Sequence, residues 1–248
     1  MKKLKLSLAL LLCPTVVLLA QNLPNTNFNP GNADLDAVGR NPNLDFIFQQ
    51  YRNQKDAIPL TNIQGSPFLE ENFVKTAIYS PDGLEGYAYS RYDGYNEEVQ
   101  LKKFLGQKKI ETLLKREDIY CVRNKETIVY TPYFDKKQNR LQGHLFQRMA
   151  TDELVIYERM RKRFKEGKEA KTSLEIPVPD KFVEASEFYV KKKESKVLFL
   201  KRSKKALLEL FKDDPGKQEA LKAYITKNRI NLKKGEGMLK VLSYYQEL

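Results

Sequence analysis

Tryptophan is absent from the 248 residues, histidine occurs once and cysteine twice. The single histidine, His144, excludes HExxH zinc, multi-histidine iron and multi-histidine copper sites, because each needs two or more imidazoles. Two cysteines without a CxxC spacing exclude a thiolate metal cage and a dithiol redox motif. Glycine occurs twelve times but never as GxGxxG or GxxxxGK[ST], so no dinucleotide or P-loop phosphate cradle is present. No GxSxG elbow exists either, and a histidine beside Gly143 in a strand-like run reads as structural rather than as a triad base. Lack of tryptophan counts against a sugar-stacking cleft, although tyrosine could serve. Carboxylate-pair hydrolysis stays open, since any two of the 32 Asp and Glu could supply it. No catalytic residue, cofactor or metal ligand is therefore assigned.

The N-terminus carries the most information. Lys2, Lys3 and Lys5 precede an apolar run over 6–20, and Leu18-Leu19-Ala20 before Gln21 has the form of a cleavage site. This predicts an export signal over 1–20, cut between Ala20 and Gln21. The fifteen-residue run contains Pro14, whereas a spanning helix needs about twenty apolar residues, so no transmembrane span is expected in the mature chain. Cys13 follows three leucines rather than the small residue that lipid modification requires, and leaves with the signal. Cys121 then remains alone in a strand-like run, where a free thiol acts as a small buried hydrophobe. Without a disulfide, an apolar core must supply the stability.

Charge is uneven. The whole chain is +12, yet residues 21–150 are almost balanced while residues 151–248 hold 24 Lys/Arg against 16 Asp/Glu, a net +8. Such a half suits an anionic lipid, an acidic glycan or nucleic acid, and export removes nucleic acid from that set. Periplasmic or outer-membrane-associated residence, or secretion, is the expected location.

Residues 21–41 are rich in Asn with Pro24, Pro30 and Gly31, a flexible polar leader. Over 42–60 the spacing of Leu44, Ile47, Phe48 and Tyr51 after Asn41-Pro42 predicts a short helix and its connection. From 61 to 201 the period is two. Ten runs (73–79, 87–92, 97–103, 110–114, 119–123, 127–133, 141–149, 154–164, 188–192 and 197–200) read as strands, with 165–182 as a loop. The expected fold is mainly β (α+β): an antiparallel meander forming a strongly curved sheet, sandwich or partial barrel. Over 202–248 three short helices follow, capped by Ser203, by Asp214 with Pro215, and beginning near Gly237. They must pack on the sheet, being too short to stand alone.

Three stretches resemble a group of uncharacterised exported proteins common in Bacteroidota: Gly65-Ser66-Pro67-Phe68-Leu69-Glu70-Glu71-Asn72-Phe73, Arg91-Tyr92-Asp93-Gly94-Tyr95-Asn96-Glu97-Glu98-Val99, and the close from Lys204 to Tyr245. The resemblance spans about residues 60–248. It implies a Gram-negative envelope setting and the same strand-then-helix order, and it brings no activity and no site residues.

Two constellations are candidates. Strand alternation puts Arg159, Arg161 and Arg163 on one side, about 7 Å apart, where guanidiniums could grip phosphate or sulfate; the plainer reading is a solvated face balanced by Glu158, Glu166 and Glu169. Tyr87, Tyr89 and Arg91 likewise share a face, followed by Tyr92 and Tyr95, and could contact a ligand or simply fill a half-buried face. The expected function is a non-catalytic binding or scaffold protein of the envelope, contacting another envelope protein or an anionic lipid or glycan. Its alternatives are an acyl-chain carrier with a helical lid, which needs an unfilled apolar cavity, and a carboxylate-pair hydrolase, which needs a raised carboxylate pKa.

Overall fold

Alternation of apolar residues becomes pairing throughout the middle of the chain. The structure, a computed structural model, describes residues 47–50, 63–172, 174–193 and 195–248. Its strands are β1 (Phe48–Gln50), β2 (Val74–Ser80), β3 (Gly83–Asp93), β4 (Glu98–Lys102), β5 (Glu111–Leu113), β6 (Tyr120–Arg123), β7 (Glu126–Phe134), β8 (Arg140–Ala150), β9 (Leu154–Lys165), β10 (Lys181–Lys192) and β11 (Leu198–Leu200). They form one sheet in the order β1-β5-β4-β3-β2-β6-β7-β11-β10-β9-β8, and β7 also pairs with β8. That second pairing closes β7 to β11 into a five-stranded ring. The fold is mainly β.

The meander is interrupted twice. β6 pairs with β2 rather than with β5, and β11 returns beside β7 in parallel, through Leu198 opposite Phe134. All other pairings between the named strands are antiparallel, and Gln64 adds an isolated parallel bridge to Lys181. Between β6 and β7, Asn124 (φ 46°) and Lys125 (φ 68°) make a two-residue turn whose left-handed backbone matches the twist of the flanking strands.

The β3–β4 hairpin curls back over the ring. Lys162 N–H donates to the Gly94 carbonyl at 2.8 Å, and a Cβ on Gly94 would lie 2.9 Å from Lys162 Cγ, so this approach needs a glycine. Side chains fill the space so enclosed. Ile78, Tyr92, Val99, Leu101, Cys121, Ile128 and Phe146 form one buried cluster, and Tyr133, Leu145, Tyr157, Tyr189 and Val197 another. Tyr133 and Tyr189 meet edge to face at 4.8 Å.

The helices α1 (Lys204–Glu209), α2 (Pro215–Lys227) and α3 (Gly235–Glu247) follow the strands. Ser203 accepts from Ala206 N–H, and Asp214 accepts from Lys217 N–H with Pro215 in the first turn. Their apolar residues pack with Met149, Leu154, Ile156, Phe188 and Leu200 of the sheet, each fully buried side chain worth about 1.5–3 kcal/mol. No helix among the described residues is long and apolar enough to cross a membrane.

Two expectations are corrected. The helix expected over 42–60 meets a strand at Phe48–Gln50, antiparallel to β5; an open strand edge and the burial of Ile47 outweigh the propensity of a short helix. The rest of that segment, the leader over 21–41 and the cleavage position Ala20–Gln21 lie outside the described residues. β10 also begins at Lys181, where the sequence predicts a strand only from 188, and pairs with β9 along its whole length.

Candidate functional site

The β9–β10 hairpin is a twelve-residue ribbon with two unlike faces. One face carries Ile156 opposite Val190, Glu158 opposite Phe188, Met160 opposite Ser186, Lys162 opposite Glu184, and Phe164 opposite Phe182. The other carries Tyr157 opposite Tyr189, Arg159 opposite Glu187, Arg161 opposite Ala185, Arg163 opposite Val183, and Lys165 opposite Lys181. Along this second face the chemistry changes in steps, from aromatic core through paired arginines to unpaired cations.

The turn after β3 sets the first step. The Asp93 carboxylate accepts from Tyr95 and Asn96 N–H at 3.0 and 2.9 Å, an Asx arrangement that tightens the tip and delivers Glu97, with φ 59°, to Arg159. Glu97 takes Arg159 Nε and Nη2 at 2.6 and 2.8 Å, a bidentate fork. Glu187 adds a contact to Arg159 at 3.5 Å, one to Arg161 Nη2 at 3.2 Å, and accepts from Tyr189 Oη at 3.1 Å. Burial opposes the charge on Arg159, but the hydrogen bonds and attraction of Glu97 prevail and hold its pKa above the ordinary range. Burial likewise pushes Tyr133 up to about 12, and lifts Tyr189 with help from Glu187. Arg159 is thus a structural cation, and Arg161 is half committed, its Nε buried without a partner.

Arg163 differs. It is exposed, and neither it nor Lys165 nor Lys181 has an ion-pair partner among the described residues. Arg163, Phe164, Lys165, Lys181 and Val183 line a concavity of about 440 Å³. The acids expected to balance this strand do not do so: Glu158 turns to the opposite face and holds Arg148 Nε at 2.8 Å, while Glu166 and Glu169 enter no ion pair among the described residues. A second, larger cleft of about 660 Å³ runs between the ribbon and the start of α3. Its charges are mixed, with Arg148, Arg161, Arg202 and Lys234 against Glu158, Glu184, Glu187 and Glu236, and Arg163 borders both hollows.

The tyrosine face on β3 is filled. Arg91 lies over the Phe68 and Phe73 rings at 3.4 and 4.6 Å and donates to Gln100 Oε1. Lys75 lies over Tyr87, and Tyr89 faces Lys75 and Lys102 across its two neighbours. This is a packed cross-strand surface rather than an open wall.

His144 is buried beside Tyr130 and contacts the Glu97 carbonyl through Nδ1 at 3.2 Å. Burial drives its pKa down to about 4, so at neutral pH it is an uncharged part of the core. The Cys121 thiol is pushed up to about 12 by burial. No group of three or more His, Cys, Asp or Glu among the described residues could hold a metal ion.

Glu97, Glu187, Lys165 and Lys181 carry the site's electrostatics and escape sequence reasoning. The Asp93-Gly94-Tyr95-Asn96-Glu97 turn was visible as a motif, but its contact with β9 was not. No family model, curated protein or solved structure matches the chain.

Proposed function

We propose that the chain is an exported, non-catalytic binding protein of a Gram-negative envelope that holds an anionic group on the outer end of the β9–β10 ribbon. One observation carries this reading. Lys165 and Lys181 stand directly opposite each other with Arg163 beside them, and none of the three has a carboxylate partner among the described residues. Like charges across a strand pair destabilise it, and an anion seated between them turns that repulsion into attraction. A phosphate or sulfate fits the fork of Arg163 and the two ammonium groups.

Filled interiors favour binding over sheltering an acyl chain, because Tyr92, Tyr133, Phe146 and Tyr189 occupy the enclosed positions. The hydrolase alternative calls for a carboxyl with a raised pKa. Asp118 and Asp135 move the other way, held down by hydrogen bonds from Arg116 and Asn139 at the surface. Export rests on the basic and apolar signal over 1–20, and the basic second half of the chain supports an anionic envelope component as partner.

Isothermal titration with inorganic pyrophosphate tests the reading. Binding should weaken steeply with added salt and fall by tenfold or more in Arg163→Gln/Lys181→Gln. Equal affinity in the variant and the parent refutes it.

A further inference from the structure

Beyond Lys165 the ribbon ends in a projecting finger. Its base is built: Lys168 N–H donates to the Val178 carbonyl at 2.7 Å, Val178 N–H returns the bond to Lys168 at 2.8 Å, and Gly167 N–H donates to Asp180 Oδ1 at 2.6 Å. A Cβ on Gly167 would lie 2.1 Å from the Val178 carbonyl oxygen, so this closure requires glycine there. The outer part is braced by Lys171 N–H on Glu175 Oε2 at 2.9 Å. On it Leu174 is 94% and Ile176 89% exposed, with Val178 at 46%. Leu174 and Ile176 are the two most exposed of the big apolar side chains among the described residues. All three alternate along the chain and belong to none of the three buried clusters.

Aliphatic side chains held in water by a hydrogen-bonded base have no role in this fold. Beneath them sit the three unpaired cations, Arg163, Lys165 and Lys181. The combination of an apolar tip and a cationic shoulder matches a bilayer interface, where acyl chains take the tip and headgroup phosphates take the shoulder. A protein groove would explain Leu174 and Ile176 but would leave the facing lysines unexplained. A soluble anion would explain the lysines but not the finger.

We infer that the β9–β10 hairpin docks this protein on an anionic lipid surface, Leu174 and Ile176 entering the interface and Arg163, Lys165 and Lys181 binding headgroup phosphate. This deepens the anion-binding reading and rests on it. It names a lipid surface as the partner.

The test uses vesicles of phosphatidylcholine with and without phosphatidylglycerol, and the parent chain beside three variants whose folding is verified by thermal melting. The parent should sediment with the anionic vesicles and not with the neutral ones. Leu174→Ser/Ile176→Ser should lower partitioning by about tenfold or more. Arg163→Gln/Lys165→Gln/Lys181→Gln should lower it by about a hundredfold, each cation near such a surface contributing about fivefold. Because the chain has no tryptophan, Ile176→Trp gives a single indole that can be excited apart from the tyrosines, and its emission should shift to the blue and be quenched by brominated acyl chains. If pyrophosphate binds but vesicles do not, or if the serine variant partitions like the parent, the lipid inference is overturned while anion binding stands. If neither pyrophosphate nor vesicles bind, both fall.

Discussion

Arg159 and Arg163 lie four residues apart on the same strand face, yet their removal should have unequal consequences. In Arg159→Met the methionine keeps most of the side-chain length, while Glu97 loses both bonds of its fork and Glu187 loses one partner. The Arg159 side chain is only 13% exposed and that of Glu97 21%. Breaking one partner of a buried pair costs about 3–5 kcal/mol because the remaining charge is stranded. The partial exposure of Glu97 places the loss toward the lower end, at about 3 kcal/mol. For a chain of this size each kcal/mol moves the melting temperature by about 2–4 °C, so a drop of roughly 6–12 °C is expected by circular dichroism. Arg163→Met should move it by less than about 2 °C, as an exposed cation without a partner contributes under about 0.5 kcal/mol. Adding Glu97→Gln to Arg159→Met should restore part of the loss, since the stranded carboxylate is gone. An Arg159→Met protein that melts within 2 °C of the parent would refute the division of this face into structural and binding cations.

Two further outcomes follow from the core. His144 takes its proton at about pH 4 when folded against 6.5 in the free side chain, so the unfolded chain binds more protons between these values. Stability should therefore fall as pH drops through that window, by about 3 kcal/mol in total, and His144→Phe should flatten the slope measured by urea unfolding; an unchanged slope would show that other groups cause it. Truncation after Lys201 removes α1 to α3 and bares Met149, Leu154, Ile156, Phe188 and Leu200, so the product should aggregate on expression. A soluble truncation with a cooperative melt would show that the helices do not seal the sheet.

Where the chain states its local chemistry aloud, the fold was legible. Ten strand runs correspond to β2 through β11, and the caps at Ser203 and at Asp214-Pro215 stand where their residue types place them. The failures share a cause. Residues 181–187, Lys-Phe-Val-Glu-Ala-Ser-Glu, alternate weakly, and only the partner β9 makes them a strand. Phe48 to Gln50 read as helix because their apolar spacing fits one, and pairing with β5 decides otherwise. The same dependence on partners hid half of the site. Arg159, Arg161 and Arg163 were visible as a row, but cross-strand register puts Glu187 against the first and a lysine pair beyond the last. Glu97 reaches Arg159 across 62 positions of sequence, a distance no local pattern encodes.

The most direct measurement is a titration of the parent chain with pyrophosphate, followed through the arginine Nε–Hε resonances. The Arg163 resonance should shift and saturate while that of Arg159, locked by Glu97, stays in place. Movement of Arg159 with Arg163 unchanged would contradict the assignment of the outer ribbon as the binding end.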